Sequence, residues 1–398
     1  MIIKKRDLSF ILMFLPFLLN LNLFAPINDS YGSLFIRIIF FDSLIIYALN
    51  IKKLTLLSPV TKCLIGYSFL IFLFTVMNGN ATWFVGMYYA VSMSAYCVLI
   101  DLKFREDSLF VLDFITRLFG FILILTLVFQ LINPTAFGVG AGSGNNYNFW
   151  VSDNEMGYVY VPLVVAVACR EWIIKQKFSW KTCFFLAVAS TSVFMAWSGA
   201  CVTGTIIMLI GFVVAIFDIK WFTFKRLFIL YLVLFIGIVI FRIQDIFSFF
   251  IVDVLHKDLT LTGRVYAWDM ALETIRNNLF IGYGTINGGR LTILQVWANT
   301  DPVSTHSFFL EVTLQGGLIG IALYVLAYIF AGRKLLNNSG NRLIIFIAAS
   351  IFAVLVMYIT EGWIYHTFQY TLLYLAYYSG NFLEISKSFA KKRTEMSK

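Results

Sequence analysis

Charge is scarce in this chain. Lys, Arg, Asp and Glu make up 13% of its 398 residues, against roughly a quarter in a soluble domain. That shortage excludes an ordinary water-soluble fold, and a hydrophobic share of 60% points the same way. Strand-like alternation of apolar and polar residues is missing too, which excludes a membrane β-barrel. Cysteine is limited to Cys63, Cys97, Cys169, Cys183 and Cys201, all in or at the edge of apolar runs and none in a Cys-x-x-Cys pair. They read as small apolar side chains, not as a disulfide framework. No Asp-x-Asp pair, nucleotide-type phosphate loop or Cys/His metal spacing occurs. The chemistry expected is therefore free of metal, cofactor and nucleotide.

What is abundant is the apolar run of about 20 residues, the length that crosses a bilayer. Twelve such segments can be drawn, from Leu8–Ala25 to Ile364–Phe382. The class expected is an all-α polytopic membrane protein with about twelve transmembrane helices, forming one integral membrane domain over residues 1–398. Lys4, Lys5 and Arg6 precede the first run as in a signal peptide, but no cleavage pattern leads into a soluble domain, so the run reads as a retained helix. The net charge of +9 reads as the positive-inside rule and does not call for a nucleic-acid partner. With the N-terminus placed inside and the segments alternating, the basic clusters fall on the inner face and both termini are cytoplasmic. Only Arg242, Lys257, Arg264, Arg276 and Arg290 fall in an outside segment, while Arg37 and Arg117 fall within helices.

Two outside loops are substantial. The first, 133–156, is rich in Gly and Asn and predicts irregular structure. The second, 242–306, is the longest stretch without a spanning run. Within it, Val265, Trp268, Ala271, Leu272 and Ile275 recur at helical spacing, with Asp269, Glu273 and Arg276 opposite. That pattern predicts a short amphipathic helix over Arg264–Asn278, lying flat at the membrane surface with Trp268 at headgroup depth and stopping at Gly282.

Candidate residues follow from scarcity and side. Arg264 can fork onto phosphate oxygens, or its side chain can snorkel to lipid headgroups. His306, where the loop re-enters the membrane, is a candidate general base, or an interfacial polar residue. Arg37 and Arg117 are candidates because ionisable groups at that depth face a bundle interior or cavity; Asp113, four residues before Arg117, offers it an ion pair. Arg276 is a further accessory candidate. Glu311 lies about 7.5 Å deeper than His306 by helical rise and off its face, which favours a structural role. Glu361 and His366 flank the last outside turn, and His366 is the rival base. Asp153 and Glu155 end the first loop and suit an acceptor site. A transporter reading would favour an internal repeat and interrupted helices; neither is apparent.

One arrangement resembles a known family. Gly263-Arg264, Trp268, Asn278 to Gly284 (with Gly282-Tyr283-Gly284), Thr305-His306-Ser307 and Gly316-Gly317 are similar to the pattern of the O-antigen ligase/polymerase superfamily. Asp153 to Gly157 and Trp197-Ser198-Gly199 are weaker echoes of it, and Ser307 stands where many members have Asn. The resemblance implies a GT-C-like membrane fold and an inverting, metal-independent glycosyltransferase of the bacterial inner membrane, its active site facing the periplasm. The donor would be a glycan on undecaprenyl diphosphate. The acceptor would be a sugar hydroxyl, on another lipid-linked repeat unit for a polymerase or on the lipid A core for a ligase. A flippase and a chain-length regulator are the partners implied. Arg264, with Arg290 or Arg37, would hold the departing diphosphate, and His306 would take the acceptor proton. Arg264 and His306 are then expected to face one cavity.

Overall fold

A computed structural model describes residues 5–20, 25–79, 83–133, 147–148, 151–254, 256, 258–261, 264–285, 305–362, 364 and 366–396. Helices dominate these residues. In chain order they are α1 (Lys5–Phe14), α2 (Ala25–Asn50), α3 (Pro59–Met77), α4 (Trp83–Ile132), α5 (Met156–Lys175), α6 (Trp180–Ala196), α7 (Gly199–Ile216), α8 (Phe224–Phe235), α9 (Arg264–Asn277), α10 (Phe308–Leu336), α11 (Arg342–Thr360), α12 (Thr371–Tyr377) and α13 (Ser379–Met396). Seven helical stretches are long and apolar enough to cross a membrane. One of them, α4, spans 50 residues and bends at Asp107, so it holds two of the twelve apolar segments drawn from the sequence. The apolar segment ending at Phe241 is not one straight helix: α8 continues as a wider helical turn over Ile236–Ile240.

Helices α5 and α11 form the centre. Every residue of α5 from Met156 to Cys169 is buried, and α11 is buried almost as completely. A helix that is apolar all round belongs inside a bundle. Helix α7 packs closely on α11, where a Cβ on Gly211 would lie 2.4 Å from that of Ala349. In lipid, such small residues let helix backbones approach and gain dispersion contacts. Some of the polar groups that enter this core pair with one another. The Asp101 carboxylate accepts from Ser58 N (2.7 Å), Thr61 Oγ1 (2.7 Å) and Tyr378 Oη (2.7 Å), tying α3, α4 and the last helices together at one end of the bundle.

The opposite end carries the long loop, and there the structure departs from two expectations. First, α10 is interrupted. Gly317 has φ 59° and ψ −159° inside the apolar helix, although no interrupted helix was expected. The turn after α9 fills the break. Tyr283 N and Gly284 N donate to the carbonyls of Leu314 and Gln315 (2.9 Å each), while Leu318 N donates to Leu279 O (2.8 Å). Non-helical backbone at membrane depth persists only where protein re-satisfies its hydrogen bonds, and this turn does so. A Cβ at Gly317 would lie 2.2 Å from Phe280 O, so glycine is required both by φ and by contact. Thr75 of α3 clamps the same turn, accepting from Thr285 N at 2.6 Å.

Second, Trp268 faces protein and not lipid headgroups. Helix α9 has the amphipathic pattern expected, with Asp269, Glu273 and Arg276 exposed, but Trp268 is fully buried in protein. Its indole N–H donates to Thr305 O at 3.1 Å, which replaces the polar headgroup partner. The first loop, expected to be irregular, lies mostly outside the described residues. Its end forms a two-residue antiparallel pair, Tyr147–Asn148 with Val151–Ser152.

Candidate active site

The site is assembled where α5, α7 and α10 begin and α11 ends. At its centre is Glu361, the residue after α11, whose side chain is 1% exposed. Arg264, the first residue of α9, donates from Nη2 to Glu361 Oε1 at 2.6 Å. His306 presents Nδ1 3.9 Å from Glu361 Oε2. That distance is electrostatic contact and too long for a hydrogen bond. Glu361 Oε2 is buried without a hydrogen-bond partner among the described residues. Arg264 and His306, 42 positions apart in sequence, are thus brought to one carboxylate.

Each is held by its surroundings. The backbone at His306 is left-handed, φ 48°, a conformation that costs a non-glycine residue on the order of 1–3 kcal/mol and must be enforced by its neighbours. Glu311 supplies part of that: Oε2 accepts from Thr305 N (3.0 Å) and Oε1 from Gln315 Nε2 (3.0 Å). Trp268 holds the carbonyl of the same Thr305. Gly362 packs on the other side, where a Cβ would lie 3.3 Å from Ser307 N. Glu311 therefore acts on the His306 turn through Thr305. Arg242 is engaged with α9: it donates to Asp269 and to Val265 O and lies over the Trp268 ring, 5.4 Å from its centroid.

A second acid–imidazole pair stands beside the first. His366 Nε2 is 3.4 Å from Glu155 Oε1, with side chains 15% and 2% exposed. Glu361 and His366 are five positions apart in sequence, so one short segment supplies a residue to each pair. The two weaker motif echoes meet here as well. Ser198 Oγ donates to Asn154 Oδ1 (2.6 Å), and Cys201 Sγ bridges Asn154 O and Gly157 N (3.3 Å each).

Other candidates lie elsewhere. Arg117 is 2.9 Å from Asp113 and largely exposed, and Asp113 also pairs with Arg170. Arg37 is exposed on α2, a helix that packs on α4. Arg276 is exposed about 18 Å along α9 from Arg264 by helical rise. Arg290 lies outside the described residues. Sequence reasoning missed the centrality of Glu361. The available signal was a carboxylate at the edge of an apolar run, on the side expected from the charge pattern to hold the scarce arginines.

A buried carboxylate joining an arginine and a histidine at one end of an apolar helical bundle defines a membrane protein with a candidate acid–base and anion-binding centre. Residues 184–325, which include Arg264 and His306, match the family model described as O-antigen ligase, consistent with the O-antigen ligase/polymerase superfamily. The match ends before Glu361 and His366. A search of curated proteins finds no match.

Proposed function

We propose that the protein is a surface-polysaccharide polymerase, an inverting glycosyltransferase that moves a glycan from undecaprenyl diphosphate to a sugar hydroxyl of another lipid-linked repeat unit. The observation that supports this reading is the convergence of Arg264 and His306 on Glu361. His306 takes the proton of the acceptor hydroxyl as its oxygen attacks the anomeric carbon. The bond from that carbon to the diphosphate oxygen breaks, and the carrier diphosphate leaves with the electron pair. Arg264 holds the growing negative charge, for which arginine is suited because it stays charged and forks onto phosphate oxygens. General-base assistance contributes about 10²–10⁴-fold, or roughly 3–5 kcal/mol. Glu361 orients both partners before substrate arrives.

The ligase reading, with the lipid A core as acceptor, is favoured by the description of the matching family. A transporter reading gains an interrupted helix. Here, however, the chain's own backbone occupies the break, whereas an ion or substrate site needs it open.

Deleting the gene and examining the surface glycan on a gel separates these readings. Loss of a polymerase leaves lipid capped by a single repeat unit. Loss of a ligase leaves polymer on the carrier and bare core. Complementation with His306→Ala is expected to reproduce the deletion. Normal glycan from a stably expressed His306→Ala protein overturns the catalytic assignment.

A further inference from the structure

The bend of α4 makes a second polar place, at the end of the bundle away from Glu361. Tyr96 and Phe119, on either side of Asp107, both lie against Phe14, with ring centroids 5.9 and 6.2 Å from its own. The helix therefore folds back on itself at Asp107. Each arm exceeds the roughly 20 residues that cross a bilayer core, so Asp107 marks a membrane boundary. Helix α5 starts beside Glu155 and brings Arg170 to the bend, about 21 Å from Met156 by helical rise. A cavity of about 300 Å³ lies there, lined by Asp107, Leu109, Phe110, Asp113, Arg170 and Ile174. Small-molecule sites begin at about that size. All six residues are half-buried, so the cavity opens to the surface.

The acids around the bend have cations, with one exception. Glu106 meets Arg6 at 3.0 Å, and Asp7 meets Lys103 at 2.8 Å. Asp113 is paired with Arg117 and Arg170, and Glu171 meets Arg170 and Lys175 at 2.7 Å each. Asp107 has no ion pair among the described residues. Its Oδ1 caps the second arm, accepting from Phe110 N at 3.0 Å, which leaves Oδ2. Capping explains a short polar side chain there; it does not explain an open cavity beside the carboxylate. Arg170 donates from Nε and Nη1 and keeps Nη2 among the described residues. Asp113, Arg117, Phe121, Ile124 and Val128 recur at helical spacing down the second arm, and the last three are exposed. The charged mouth is thus continuous with an apolar stripe. We propose that this cavity binds the headgroup of a zwitterionic phospholipid that carries a primary ammonium. The ammonium donates to Asp107, the phosphate accepts from Arg170, and an acyl chain lies along Phe121, Ile124 and Val128. An anionic headgroup brings no cation for Asp107. A quaternary ammonium brings the charge but no N–H to donate. The proposal does not depend on the reaction at the other end of the bundle.

The full chain in detergent tests this, titrated with phosphatidylethanolamine, phosphatidylcholine or phosphatidylglycerol of the same acyl chains. Bound lipid is read by native mass spectrometry. Phosphatidylethanolamine is expected to bind about 10-fold more tightly than either of the others, the worth of one charge-assisted hydrogen bond. Asp107→Asn keeps the cap, because Asn and Asp cap about equally well, and removes the charge. It should erase the preference and leave the weaker binding of the other two lipids unchanged within about twofold. Leu109→Trp fills the cavity without touching the charges and should weaken phosphatidylethanolamine about as much. It decides the question if Asp107→Asn lowers the melting temperature of the lipid-free protein. Equal affinity for the three lipids, a preference retained in a stably folded Asp107→Asn protein, or unchanged binding in Leu109→Trp each overturns the site. Soluble glycerophosphoethanolamine, which lacks the acyl chains, should not displace the lipid at equal concentration. If it does, the occupant is a soluble amine and the lipid assignment is overturned.

Discussion

Glu361 offers the sharpest test of how the centre is built. It is 1% exposed, while the Arg264 side chain bonded to it is 18% exposed. Removing one member of a buried ion pair costs about 3–5 kcal/mol, mostly because the other charge is left uncompensated. The partial exposure of Arg264 puts Glu361→Ala at the low end, about 3 kcal/mol. Glu361→Gln keeps an oxygen for Nη2 to donate to and loses only the charge, which is about 1–2 kcal/mol. The sign reverses on an Arg264→Met background. There the carboxylate is buried without its cation, so Glu361→Gln relieves it and raises stability. Thermal midpoints of the four proteins in nanodiscs, measured with transfer rates from a lipid-linked donor, give the cycle. A coupling energy of about 2 kcal/mol or more is expected, well above the 0.3–0.5 kcal/mol of independent sites. Glu361→Ala should also slow transfer about 100-fold, as a 1 Å misplacement of catalytic groups does. If Glu361→Gln destabilises equally with and without Arg264, the carboxylate does not act through that arginine and the organisation described here is wrong.

Two further outcomes follow from the surroundings of the centre. Gly317→Ala places a Cβ 2.2 Å from Phe280 O at positive φ and is expected to cost about 3 kcal/mol from strain and overpacking together; a lowered melting temperature with reduced surface glycan checks it. Trp268→Phe removes the donor to Thr305 O and costs about 1–3 kcal/mol. Its effect on transfer should exceed that of Tyr266→Phe, an exposed position on the same helix, in the same rate assay.

The helices were legible because apolar runs of spanning length need only local composition. The polar face of α9 was legible because helical periodicity is local too. The burial of Trp268 was not, because a tryptophan suits an interface and a core equally and only its indole partner decides. Gly316 and Gly317 stood out in the motif, yet the break they form depends on a turn more than 30 residues earlier in the chain, and no pattern within either segment encodes that pairing. Arg264 and His306 could be singled out by residue type and side. Glu361 is 55 positions beyond His306, at the far end of another helix, and only the packing of α11 against the bundle brings it to them.

The docking of the 279–284 turn into α10 fixes the length of α9. At one end Arg264 is tied to Glu361, and at the other Tyr283 and Gly284 are tied to the interrupted helix. The helix between is therefore a rigid spacer with both ends fastened. One residue inserted into it moves Arg264 by 1.5 Å and turns it about 100° relative to the docked turn, which takes the guanidinium off the carboxylate altogether. The position of Arg264 and the break in α10 are thus joined through one helix, and an exchange of this loop between related proteins must carry α10 with it.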